Sequence, residues 1–208
     1  MGTIKQGIFG EFTGKVGNVV GYKNNGRNYV RSVPGKVRNP RSKAQQGQRK
    51  KFAAVFAFLQ PISDFVRAGY ALYGKEKAPF HAAMSYLLKK AVHIEGDEAY
   101  IDYHRALVST GTLMTVPEAK ATVEAGKIRF GWKNNSGEGN AEATDAVWLL
   151  AYNADNGEAT YRTQAAQRDD GQAELSIPER WAEQHVVAYL CLCNEAEGLM
   201  SNSLCVAG

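Results

Sequence analysis

Apolar residues follow three successive rhythms along the chain. In the first 35 residues they sit among eight glycines, as Ile8, Phe9, Phe12, Val16, Val19, Val20 and Tyr22. That glycine density opposes helix, and the residue types between the glycines suit strands. Asn25-Gly26 separates two apolar-bearing runs, and this pair is the preferred two-residue hairpin turn because both positions take positive φ. The pattern predicts a hairpin over 15–33 and a weaker extended arm over 3–13. From Ser42 the rhythm becomes helical. Ser42 and Gln45 match a capping box. Phe52, Val55, Phe56 and Leu59 recur at helical spacing, Pro61 breaks the run, and Ile62, Phe65, Val66 and Tyr70 carry the stripe to about Leu72. After a polar link, Gly74 to Lys77, Pro79 suits a first helical position. Phe80, Met84, Leu87, Leu88 and Ala91 form a second stripe, closed by Gly96. Residues 42–95 therefore read as two or three packed helices.

Beyond Gly96 the period is two. Strands are expected at 100–108, 111–116, 120–124, 127–133, 145–153, 159–166, 172–177, 185–193 and 199–206, with turn signals at Gly126, Asn134 to Gly137, Asn156-Gly157, Asp170-Gly171 and Gly198. Short strands at this spacing indicate a β-sandwich. The predicted class is α+β: a glycine-rich hairpin and helical hairpin, then an immunoglobulin-like sandwich, divided as 1–98 and 99–208. Two strands lack alternation. Val147 to Tyr152 and Val186 to Cys193 are apolar on both faces, whereas a sandwich strand ordinarily shows one face to water. The outer face of their sheet must be covered, by the helices of 42–95 or by another subunit, and the helices are the simpler cover.

With 208 residues, 44% hydrophobic and 22% charged, the chain has the composition of a globular protein. Its longest apolar runs, Phe52 to Leu59 and Val186 to Cys193, are eight residues, well short of the ~20 a spanning helix needs. Met1 to Gly14 places glycines where a secretory leader needs an apolar stretch, so a cytoplasmic location is expected, or a virion for a phage-derived protein. The net charge of +4 is unevenly spread. Residues 1–51 hold twelve Lys/Arg against Glu11, a net +11; residues 52–115 hold six of each sign; residues 116–208 hold seven basic and fourteen acidic groups, a net −7. A basic head and acidic tail suggest a polyanion partner for the head, or attraction between neighbouring copies.

Signals for catalysis are weak. Cys191, Cys193 and Cys205 are odd in number and lack Cys-x-x-Cys spacing, so they read as small buried hydrophobes. His81, His93, His104 and His185 contain no i, i+4 pair. Gly10 to Val16 misses the phosphate-loop pattern by one residue, and Val16 stands where Ser or Thr is required. Gly14-Lys15-Val16-Gly17 matches the clamp loop of KH RNA-binding domains, but that loop joins two helices. No Gly-x-Ser-x-Gly elbow occurs, and Asp169-Asp170 precedes Gly171 as a turn. No metal, cofactor, small-molecule substrate or membrane partner is expected. The candidate polyanion-binding residues are Lys15, Lys23, Arg27, Arg31, Lys36, Arg38, Arg41, Lys43, Arg49, Lys50 and Lys51, interleaved with Gln and Asn. Tyr22 and Tyr29 are available for stacking.

Residues 127 to 207 resemble a fibronectin type III domain or a close immunoglobulin-like relative. The resemblance rests on Trp132, the 145–153 strand, Leu175 before the Pro178 turn, Tyr189, and the final Leu199 to Leu204 run. It implies a spacer or binding module. The head resembles an uncharacterised bacterial family, a domain of unknown function. The matching segments are Gly14-Lys15-Val16-Gly17, Tyr29-Val30-Arg31, Asn39-Pro40-Arg41-Ser42, Gln45, Gln46, Gln48-Arg49 and Phe52, and the match extends over nearly the whole chain. Similar Asn-Pro segments occur in phage proteins. Two functional expectations follow. The first is a non-enzymatic structural or assembly protein with a protein partner or further copies of itself, related to phage or mobile elements. The alternative is a non-specific nucleic-acid-binding protein using the basic head.

Overall fold

In a computed structural model of the chain, which describes residues 3–4, 12–24, 26–35, 41–73 and 78–207, the glycine-rich head is a four-stranded antiparallel meander. Its strands are β1 (Thr3–Ile4), β2 (Phe12–Val16), β3 (Val19–Asn24) and β4 (Arg27–Ser32), in that spatial order. Asn24 faces Arg27 across the turn, and Gly26 has φ +78°, the positive value such a turn demands. The other turn residue, Asn25, lies outside the described residues. So does most of the expected arm, whose ends pair Thr3 with Thr13 and Ile4 with Phe12.

The chain divides into compact units Met1–Ser42 and Lys43–Gly208, not at the expected 98/99. The reason lies in the second unit, where helices and sandwich share one core. Helices α1 (Lys43–Leu59), α2 (Ser63–Gly69) and α3 (Pro79–Lys90) follow the predicted stripes, with Pro61 in the break and Pro79 at the first turn. The link Gly74 to Lys77 lies outside the described residues. Gly96 does not close a helix. α3 ends at Lys90, and β5 (Val92–Glu95) and β6 (Glu98–Ile101) form a hairpin. Gly96 sits in its turn at φ +60°, and Gly-Asp is a two-residue turn pair in its own right.

The sandwich strands are β7 (Lys120–Glu124), β8 (Lys127–Gly131), β9 (Ala146–Asn153), β10 (Ala159–Gln167), β11 (Gln172–Ser176), β12 (Val186–Asn194), β13 (Leu199–Met200) and β14 (Leu204–Ala207). One sheet runs β11-β8-β7; the other runs β10-β9-β12, with β13 and β14 pairing along β12. This immunoglobulin-like arrangement agrees with the α+β expectation. Residues 102 to 119 contain no strand, although strands were expected at 100–108 and 111–116; one bridge joins Leu113 to Ser201. The Asp102 carboxylate accepts the backbone N–H groups of His104 (3.1 Å) and Arg105 (3.2 Å), turning the chain where alternation suggested extension.

Alternation in β9 and β12 builds two cores. Val147, Leu149, Val186, Leu190 and Leu192 point into the sandwich with Ile128, Phe130 and Trp181. Trp148, Leu150, Tyr152, Val187, Tyr189 and Cys191 point the other way, among Phe58, Leu59, Phe65, Val66 and Leu87. Phe58 meets Tyr152 edge-on at 4.8 Å, and Phe65 meets Trp148 at 5.7 Å between ring centroids. The Tyr189 hydroxyl donates to the Tyr103 carbonyl at 2.8 Å. Lys43–Gly208 therefore has three layers, and the helices cover the face that the apolar runs left in need of cover.

Burial in this core pushes the Cys191 thiol up to about 12 and Cys205 up to about 11. Cys191 is therefore expected to resist alkylation at mildly alkaline pH until guanidinium unfolds the chain, as mass spectrometry would read. In the unfolded chain a thiol titrates near its ordinary value of 9.0. The folded state thus holds the extra protons above that pH. The contribution of these two thiols to stability is full below about pH 9 and is lost as pH rises toward 12.

Candidate interaction surface

The register of the meander sorts its side chains onto two faces. Lys15 stands opposite Val20, which stands opposite Arg31; Tyr22 faces Tyr29, and Asn24 faces Arg27. These rows are two residues apart and share one face of the sheet. The tyrosine rings stack at 5.5 Å with an interplanar angle of 21°. The Arg31 guanidinium carbon lies 5.7 Å from the Tyr22 ring centre, within cation–π range. Each tyrosine is 41% exposed. The opposite face carries Val16 against Val19, Gly21 against Val30 and Lys23 against Asn28. Its three valines are 39%, 37% and 61% exposed.

β4 forms an edge of this sheet. Val33 N–H donates to the Asn18 carbonyl at 2.8 Å, one step beyond the Val19–Ser32 pair. Backbone groups alternate in direction along an antiparallel strand. Arg27, Tyr29 and Arg31 therefore turn their N–H and C=O groups to β3, and Asn28, Val30 and Ser32 turn theirs outward. All six residues of β4 are exposed. Among the described residues, nothing pairs with this edge.

Of the remaining candidate cations, the described ones lie on or just before α1. Lys36 and Arg38 lie outside the described residues. Arg41 precedes α1, and Lys43, Arg49, Lys50 and Lys51 lie on it. At about 100° per residue, Arg49 and Lys51 project roughly 160° apart. Lys50 is held by Asp97, its ammonium 2.5 Å from Oδ1 and from the main-chain carbonyl. α1 thus presents no single basic stripe, whereas the meander gathers Lys15, Arg27 and Arg31 on one face and places Lys23 on the other.

The acidic half answers many of its own charges. Hydrogen bonds from Lys127 (2.9 Å) and Arg129 (3.1 Å) hold the Glu174 carboxyl below its usual range. Those from Arg180 (2.6 Å) and Trp181 (3.1 Å) do the same for Glu158. A cavity of about 400 Å³ is lined by residues including Glu142, Gln164, Asp170, Cys193, Asn194 and Glu195. Its polar groups are tied to one another: the Asn194 amide donates to Glu142 at 3.1 Å, the Gln164 amide donates to Glu195, and Asp170 accepts the Gln167 N–H at 2.7 Å. Among the described residues, no group of three His, Cys, Asp or Glu side chains could hold a metal ion. No described helix is long and apolar enough to cross a membrane.

Residues 10–207 match the model of DUF6266, a family of unknown function, and the chain belongs to that family. No curated protein matches the sequence. The fibronectin type III domain of human collagen alpha-1(XX) chain, a solution structure, is similar at 14% identity and a TM-score of 0.34, over 48% of this chain and 88% of that one.

Proposed function

We propose that this member of a family of unknown function is a non-enzymatic assembly protein, and that the meander joins one copy to another through β4. The carrying observation is the open edge of β4, with Asn28, Val30 and Ser32 offering backbone donors and acceptors outward. A small sheet needs a buried apolar face to be stable, yet this one leaves Val16, Val19 and Val30 exposed. Strand addition supplies the missing hydrogen bonds.

The edge is also self-complementary. A two-fold axis at Val30 sets it against its own copy and Asn28 against Ser32 of the second copy. On the tyrosine face, Tyr29 then meets Arg31 of the second copy. Such a pairing opposes no like charges and satisfies the closed symmetry of a dimer interface.

Light scattering or sedimentation of the full chain at tens of micromolar tests the reading, with self-association as the expected result. Val30→Pro removes the central outward N–H and leaves the β3 pairing intact, because proline is tolerated on an edge strand. The substitution is expected to weaken association at least about tenfold, the equivalent of about 1.4 kcal/mol. Val30→Thr, which keeps the N–H, is expected to associate normally. A clean monomer of the unmodified chain overturns the proposal.

A further inference from the structure

The tyrosine face of the meander carries a feature beyond the backbone groups of the β4 edge. We infer that the Tyr22–Tyr29 face is a platform for single-stranded nucleic acid. Two observations converge on one surface. Tyr22 and Tyr29 are stacked, and each keeps 41% of its surface open to solvent. Lys15 and Arg31 lie in the row on one side of the pair, and Arg27 in the row on the other, each row about 7 Å from the next. Cations thus flank the aromatic pair at both ends. A base stacks on an exposed ring, its phosphates reach the flanking Lys and Arg, and recognition is indifferent to sequence because every base has a π-face.

The charge balance favours a polyanion here. Residues 1–42 hold eight Lys/Arg against the single acid Glu11, a net +7. The platform also discriminates between polyanions. An acidic polysaccharide or peptide satisfies the cations and leaves the rings unused. A duplex keeps its bases stacked inside. An unpaired strand uses both features.

The test is binding of the full chain to a fluorescein-labelled oligothymidylate, with heparin as a base-free polyanion in a parallel arm. Oligothymidylate is expected to bind at low salt and to weaken steeply as salt rises. Arg27→Glu and Lys23→Glu change charge equally but lie on opposite faces. The first is expected to weaken oligonucleotide binding about tenfold or more, the second no more than about threefold. Tyr22→Leu with Tyr29→Leu is expected to lose about tenfold for the oligonucleotide and to leave heparin binding unchanged. Phe at both positions is expected to retain binding. The inference is overturned if the oligonucleotide fails to bind at low salt, if the two charge reversals act equally, or if the leucine pair affects heparin and oligonucleotide alike. Because Arg27 and Tyr29 lie on β4, sedimentation of each variant alongside the binding assay separates loss of oligonucleotide binding from loss of self-association.

Discussion

A chain beginning at residue 99 is expected to aggregate, whereas one beginning at Lys43 is expected to fold. Removing the helices bares Trp148, Leu150, Tyr152, Val187, Tyr189 and Cys191, which the intact protein buries against Phe58, Phe65 and Leu87. At about 1.5–3 kcal/mol for each large apolar side chain, the exposed face forfeits on the order of 10 kcal/mol. A domain's whole stability is about 5–15 kcal/mol. The side chains are also contiguous on two neighbouring strands, because β9 and β12 pair from Val186–Asn153 to Cys193–Ala146. One broad apolar patch of that kind drives association. The check is soluble yield and binding of a hydrophobic dye for chains starting at 43 and at 99. A monodisperse 99–208 fragment that unfolds cooperatively at the same temperature as 43–208 would sink the three-layer account.

Arg168→Ala is expected to cost about 3–5 kcal/mol, the usual penalty for stranding one half of a buried ion pair. Arg168 is 0% exposed and Asp145 1%, and their charged groups meet at 2.9 Å. The guanidinium also donates to Asn135 Oδ1 at 2.6 Å and to the Met114 carbonyl at 2.7 Å, and Trp132 Nε1 donates to the Arg168 carbonyl at 2.8 Å. One side chain therefore ties the irregular segment before β7 to the loops before β9 and after β10. Without it, Asp145 keeps a carboxylate in a place that water does not reach. Thermal denaturation followed by circular dichroism is expected to show a midpoint lower by about 10 °C. Replacing the pair together with apolar residues of similar volume is expected to recover most of the loss. A shift of a degree or two for Arg168→Ala alone would contradict a sealed ion pair.

This ion pair shows where sequence reasoning ends. Asp169-Asp170 before Gly171 reads as a turn, and the chain there makes a short 3-10 helix, Arg168–Asp170; nothing in that stretch points from Arg168 to Asp145, which lies 23 positions earlier. Neighbouring cations are equally uninformative on helix α1, where Lys50 finds Asp97 across the fold. The meander is different. The Asn24–Arg27 pair across its turn fixes the register, and parity then places Arg27 and Arg31 with Tyr22 and Tyr29, and Lys23 on the reverse face. The missed hairpin at Val92–Ile101 carried its own signal in Gly96-Asp97, which the preceding helical stripe masked.

What the amino-acid order determined by itself is the set of pieces. Turn pairs, proline breaks and apolar periods act within a few residues, so the hairpin, the interrupted helices and the sandwich strands follow from local conformational preference. The order also required that β9 and β12 be covered on both faces, since burial is demanded by the residues themselves. The tertiary structure decided which cover was used, where the compact units divide, that 102–119 is irregular, and which distant carboxylate Arg168 meets. Those outcomes depend on contacts between residues far apart in the chain, and their energies exist only once the layers have packed.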